Sequence, residues 1–408
     1  FLRHPDWLMQ LSEISPEVEA GARDYLATIA WGLPAVLLYR TFYAFTNALG
    51  RTRVLMVISL TTTGVHIPLS WALINGHLPG VPALGGTGCA VSSACMGWLA
   101  LLCAGLHVLR APAYAPYQLF SRWTRPRAGP IGELLRLGLP MGFSSFVEIT
   151  AFTLIALFVA ELGAAVVAGH RIVANLSALI YMLPLALATA TLVLVGQSAG
   201  ARDDVRARQA AWCGILLATG LSTTVSVLVW LVRDRVVAAY TTDPAVGTLA
   251  DALILYICLY QFFDAIQTVA AHALRGYKIT FGPMLVHTLC FWGIGLAGGY
   301  LLAFRGIGPF PPQGVAGFWQ ASVLSNIAAA TLFGIVTSGL RMAFGGHFFT
   351  DVLFSGTISF LVIWLAYAII YRWRSTRLTD DGVDAWLTRI AWPGYRWRQK
   401  LLGRDVGD

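Results

Sequence analysis

Charge is scarce in this chain. Asp, Glu, Lys and Arg make up 12% of its 408 residues, about half the share usual in soluble domains. So little charge excludes an ordinary water-soluble surface, and 57% apolar residues with a mean hydropathy of +0.67 indicate an integral membrane protein. Cysteine occurs six times but never in C-x-x-C spacing. Cys89, Cys95, Cys103, Cys213, Cys258 and Cys290 lie in or beside apolar runs, which fits buried small hydrophobes better than a disulfide scaffold. No basic segment with a cleavage site precedes the first apolar run. The chain opens on FLRHPDWLMQ without an initiator methionine, and its start is expected to be incomplete. A formal charge of +8 does not imply nucleic acid, because the basic residues are distributed among helix connections and one tail.

Long apolar runs fill the rest. A spanning helix needs about 20 mostly apolar residues, since a backbone facing lipid must satisfy its own hydrogen bonds. Ten runs qualify: 25–46, 54–75, 87–109, 133–159, 164–196, 210–232, 247–271, 281–304, 316–338 and 352–371. The fold class expected is an all-α polytopic membrane protein. The 164–196 run is too long for one straight crossing and is expected to tilt, break near Pro184 or run past the bilayer.

Basic residues alternate between connections. Arg51 and Arg53, then Arg110 to Arg136, then Arg202, Arg206 and Arg208, then Arg275 and Lys278 fall on every second one, which places those connections in the cytoplasm. Residues 76–86 hold no Lys or Arg, and 305–315 only Arg305. Arg233 and Arg235 break the pattern, softened by Asp234.

A Pro- and Arg-rich stretch, RAPAYAPYQLFSRWTRPRAGP, reads as a cytoplasmic tether between two helix bundles. The sequence also echoes itself. YRTFYAFTNALGRTR at 39–53 resembles DAIQTVAAHALRGYK at 264–278, and LGGTGCAVSSACMGW at 84–98 resembles QGVAGFWQASVLSNI at 313–327, offsets of 225 and 229. Duplicated bundles are common in secondary transporters, which handle substrate at the repeat interface. The expected organisation is a partial first bundle of three helices over 1–109, a linker over 110–132, a six-helix second bundle over 133–338 and a terminal segment over 339–408.

Two carboxylates stand inside apolar runs: Glu148 in LGLPMGFSSFVEITAFTLIALFVA and Asp264 in LYICLYQFFDAIQTVAAHALRG. An ionisable group at membrane depth costs several kcal/mol unless it faces protein, water or a cation, so both are candidates for proton or cation exchange. The alternative is that each only accepts interhelical hydrogen bonds. AGHRIVANLSALIYMLP adds His170, Arg171 and Asn175; Asn175 is the stronger polar partner for a buried carboxylate, and His170 reads as interfacial. Pro140 and Pro184 either open helix carbonyls toward a cavity or mark ordinary helix ends. Tyr260, Gln261 and Gln267 flank Asp264 and would line a cavity for amphipathic cations.

GLPAVLLYR with ALGRTRVLMVIS, LGLPMGFSSFVEITAF, VVAGHRIVANLSALIYMLPLALATATLVLVGQSAG and YQFFDAIQTVAAHALRGYK resemble the multidrug and toxic compound extrusion transporters, especially their NorM-like bacterial branch. The resemblance runs over residues 24–338. It implies two six-helix bundles that rock between inward- and outward-open states in the bacterial inner membrane. It implies a monomer without cofactor that exports small organic cations against protons or sodium. The family's second-bundle cation site falls on Glu148 and Asp264, with Asn175 beside them. Against the family pattern, the first bundle is expected to be incomplete, without three helices and the carboxylate of the first.

The tail resembles another family. Arg341, His347 and Asp351 fill R-x5-H-x3-D, similar to the last signature of the type 2 phosphatidic acid phosphatases. The resemblance would make His347 the nucleophile, Asp351 its orienting partner and Arg341 a phosphate clamp, acting on membrane lipid. The family's other two signatures are missing, so a lipid phosphatase is the alternative and a transporter the leading reading.

Overall fold

A computed structural model describes residues 16–119, 126–308 and 311–343. The helices are α1 (Pro16–Ala48), α2 (Thr52–Asn75), α3 (Gly85–Arg110), a 3-10 turn (Pro112–Tyr117), α4 (Ala128–Ala160), α5 (Ala164–Gly200), α6 (Asp204–Leu231) and the short α7 (Arg233–Tyr240), then α8 (Pro244–Gly276). Next comes one helical run over Phe281–Arg305 that begins as α9 (Phe281–His287) and winds as π-helix over Thr288–Gly298 and Leu301–Arg305; α10 (Val315–Ala343) follows.

Among the described residues, eight helices are long and apolar enough to cross a membrane: α2 to α6, α8, the Phe281–Arg305 run and α10. The expected span at 25–46 lies in α1, which is helical but falls short of that standard, with Arg40 in its interior. The expected span at 352–371 lies outside the described residues. No break occurs at Pro184 or Pro140; each stands inside a continuous helix. Proline removes one donor, and a packed membrane helix absorbs that loss locally. At 1.5 Å per residue, α5 is about 55 Å long, so it extends past a hydrocarbon layer of about 30 Å.

Several helix ends close in the same way. After α1, Arg51 N–H bonds Thr46 O (3.1 Å) and Gly50 N–H bonds Asn47 O (2.9 Å), with Gly50 at φ +70°. After α8, Ile279 N–H bonds Leu274 O (3.0 Å) and Lys278 N–H bonds Arg275 O (2.9 Å), with Lys278 at φ +61°. These paired bonds satisfy the last carbonyls through one left-handed residue. Both echoing stretches therefore run into the same kind of helix end, with Lys278 in the place of Gly50, three residues beyond the offset of 225. Gly76, which closes α2 at φ +71°, has a second constraint: a Cβ there would lie 2.7 Å from Ala83 N. Gly76→Ala is expected to cost about 2 kcal/mol or more, from left-handed strain plus the clash, read as a lower thermal midpoint of detergent-purified protein.

Contacts divide the described residues into two compact units, one drawn from the stretches up to 139 with 189–211 and 275–278, the other from 140–188, 212–274 and the stretches from 279 to 343. In the first unit, Tyr114 is buried with its hydroxyl 3.1 Å from Thr46 Oγ1, Gly32 lets α1 approach Ala94 of α3, and Gln197 donates to Ala48 O at 2.7 Å. Lys278 pairs with Glu133 at 3.0 Å. These contacts join the end of α1 to the end of α5, and the end of α8 to the start of α4.

In the second unit, Arg233, one of the two residues that break the charge pattern, is neutralised. Arg233 pairs with Asp251 at 2.9 Å and lies over the Trp230 ring at 5.2 Å, while Asp234, the partner anticipated from sequence, stands 4.0 Å away and is 87% exposed. Here α10 is the most deeply packed of the eight apolar helices, whereas α2 of the first unit is 11% buried and turns Met56, Val57, Leu60, Ile67 and Trp71 outward, as a lipid-facing helix must. All six cysteines are free.

Candidate functional site

The second unit is built around α8. From Tyr260 to Leu274 most side chains are buried, because helices lie against α8 on several sides. Phe152 of α4 meets the Tyr260 ring edge-on at 6.2 Å, and Ser222 of α6 donates to Gln261 O at 3.2 Å. Tyr260 and Phe263 pack with Val323 and Ile327 of α10, and Ala270, Ala271 and Leu274 with Ala329 and Phe333. That parallel register brings Asn326 to about the level of Asp264.

Asp264 is 1% exposed. Its Oδ1 accepts an N–H from Gln267 at 2.9 Å; its Oδ2 has no hydrogen-bond partner among the described residues. Tyr260, one turn earlier on the same helix, and Glu148 of α4 are near enough to act on its charge, and among the described residues no Lys or Arg does so. Tyr260 neighbours Asn326, which is wholly buried with both amide atoms unpartnered among the described residues. Trp319 meets Tyr260 edge-on at 6.1 Å. A buried carboxylate without a basic partner is tolerated when a proton or a bound cation neutralises it. Carboxylate, hydroxyl and amide oxygens are also what a hard cation prefers.

Of the residues singled out from sequence, Glu148, Asp264, Tyr260 and Gln267 come together here. Gln261 instead ties α8 to α5, its amide donating to Ser177 O at 2.7 Å and to Ser177 Oγ at 3.0 Å. Asn175 is exposed, and its Oδ1 accepts from the Tyr240 hydroxyl at 2.8 Å. His170 is buried at 6% exposure with its ring 5.8 Å from that of Trp319, not interfacial. Sequence reading passed over Asn326 and His287. Each is a polar side chain inside an apolar run, the signal that singled out Glu148 and Asp264.

In the first unit, an open groove of about 600 Å³ is lined by Asp24, Thr28, Trp31, Cys95 and Trp98 among others. Among the described residues no group of three His, Cys, Asp or Glu side chains is placed to hold a metal ion. Arg341 belongs to the last turn of α10, while His347 and Asp351 lie outside the described residues.

A multi-pass all-helical unit with an unneutralised acid at its centre has the form of a secondary transporter. The fold is similar to an outward-facing multidrug resistance MATE family transporter of the MOP superfamily (TM-score 0.75, 16% identity, 84% of this chain and 74% of that one). It is also similar to the eukaryotic MATE transporter AtDTX14 (TM-score 0.73, 18% identity, 88% and 76%). In sequence, the MatE family matches residues 4–72 and 140–301. The chain is 56% identical over 333 residues to the probable multidrug resistance protein NorM of Aromatoleum aromaticum, spanning 82% of this chain and 72% of that protein. It is 40% identical over 328 residues to multidrug resistance protein PmpM of Pseudomonas aeruginosa, spanning 80% and 68%. The chain belongs to the MatE family; it is a multi-pass membrane transporter, not an enzyme.

Proposed function

We infer that this chain carries out multidrug efflux, exporting small organic cations in exchange for protons or sodium ions across the bacterial inner membrane. Asp264 carries the reading: a 1% exposed acid that, among the described residues, has one oxygen unpartnered and no Lys or Arg acting on it. Proton or sodium enters at Asp264 Oδ2, with Glu148 as the second acid and Tyr260 and Asn326 as neutral oxygen donors. Asn326 takes the place that sequence reading gave to Asn175. The similarity to proteins named for multidrug resistance supports the cargo class. In this reading 1–109 and 133–338 are the transporter bundles, 110–132 joins them, and the phosphatase-like segment 339–408 takes no part.

Reconstituted into liposomes, the protein is expected to move ethidium against an imposed proton or sodium gradient and to stop when that gradient is collapsed. Ethidium movement indifferent to both gradients would remove the exchange reading. Phosphate release from phosphatidic acid that disappears in His347→Ala would put the phosphatase reading in its place.

A further inference from the structure

The Gln267 amide stands between Asp264 and a third buried side chain. Its Nε2 lies 2.9 Å from Asp264 Oδ1 and 3.0 Å from Thr268 Oγ1, and its Oε1 lies 3.1 Å from His287 Nε2. All four residues are buried, none more than 4% exposed. His287 is the last residue of α9, directly before the helix rewinds to π geometry at Thr288. Its ring is held by Phe291 and by the edge of Phe333, each centroid 5.4 Å away.

An amide has two ends of opposite polarity, and only its N–H end stabilises a carboxylate. Turned round, Gln267 would bring its carbonyl oxygen against Asp264, and the low dielectric of a buried site would make that repulsion expensive. Thr268 does not decide the choice, because a hydroxyl accepts or donates equally well. An imidazole N–H on the far side does decide it, since it donates only to the carbonyl end. We propose that His287 is a positioning residue for the exchange site: its Nε2–H fixes the Gln267 amide so that Asp264 Oδ1 is permanently occupied and Oδ2 alone receives the exchanging ion.

His287 does not touch the ion, because the Gln267 side chain separates it from Asp264. Its effect reaches the carboxylate through one hydrogen-bonded amide, which makes the contribution of His287 and that of Gln267 a single quantity. This deepens the exchange reading of Asp264 and rests on it.

The test is infrared difference spectroscopy of the full chain in lipid nanodiscs during pH titration, following the carboxyl C=O band that Asp264→Asn removes. His287→Phe keeps the ring against Phe291 and Phe333 but loses the donor; the band is expected to move, and the proton affinity of Asp264 to change about tenfold. His287→Gln, which restores an N–H at the same reach, is expected to return both toward the wild-type values. Gln267→Met should reproduce the His287→Phe change, and the double variant should add little to either, since both remove one interaction. A band and affinity unmoved by His287→Phe, or fully additive changes in the double variant, would overturn the proposal. Should His287→Phe not accumulate, the His287→Gln and Gln267→Met spectra decide it alone: a wild-type band in Gln267→Met overturns it. An Asp264→Asn protein that still exports ethidium on a gradient removes the exchange reading instead, whatever the bands do.

Discussion

Asp264→Asn is expected to reduce gradient-driven ethidium export to background while leaving the protein as stable as before, or more so. Asparagine keeps the size of the side chain and an oxygen that accepts from Gln267, now 2.9 Å from Oδ1. What it removes is the exchangeable charge. It also removes the cost of holding an acid at 1% exposure with Oδ2 unpartnered, a cost of several kcal/mol when no basic group offsets it. Function and stability should therefore move in opposite directions, the pattern expected where a strained site serves activity. Export at background with an unchanged or raised thermal midpoint is the expected pair of results. A parallel loss of both would mean that Asp264 is structural. Glu148→Gln should lower export with less effect on stability, because Glu148 is only half-buried.

Gly317→Val is expected to destabilise the protein by about 3 kcal/mol or more and to cut its accumulation in membranes. A Cβ at Gly317 would meet Ala303 N at 2.7 Å and Leu302 C at 2.8 Å, and both are backbone atoms that cannot rotate away. The contact is reciprocal, since a Cβ at Gly299 would come within 2.8 Å of the Phe318 ring. Gln313 and Gly314 donate to Leu302 O and Ala303 O at 2.9 and 3.1 Å, so the start of α10 is fastened to the end of the π-helical run. Small residues at crossing points let membrane helices gain dispersion energy where no hydrophobic drive brings them together. Gly293→Ala is the control: nothing lies within 4 Å of its added Cβ, and its thermal midpoint should equal that of the wild type.

Much of this protein was legible without coordinates, and the reason differs from one feature to another. Glu148 and Asp264 stood out because a charge in an apolar run is conspicuous whatever surrounds it. Asn326 and His287 belong to the same class of signal but are weaker, since neutral polar side chains cost less in a membrane. Asn175 drew attention by lying in a motif-rich helix, yet its orientation sends it to Tyr240. Gln261 stood beside Asp264 in sequence, but its amide bonds Ser177, 84 residues away.

Composition alone determined that the chain is a helical membrane protein, where most helices run and which connections carry the positive charge. Those properties follow from the free energy of moving each residue between water and lipid, which adds up along the chain one residue at a time. Which polar atoms meet was settled only by tertiary structure. The rotation of each helix decides whether Arg233 finds Asp251 or Asp234, and whether His287 faces the amide beside Asp264. Packing among distant segments sets that rotation, and no local stretch of sequence contains it.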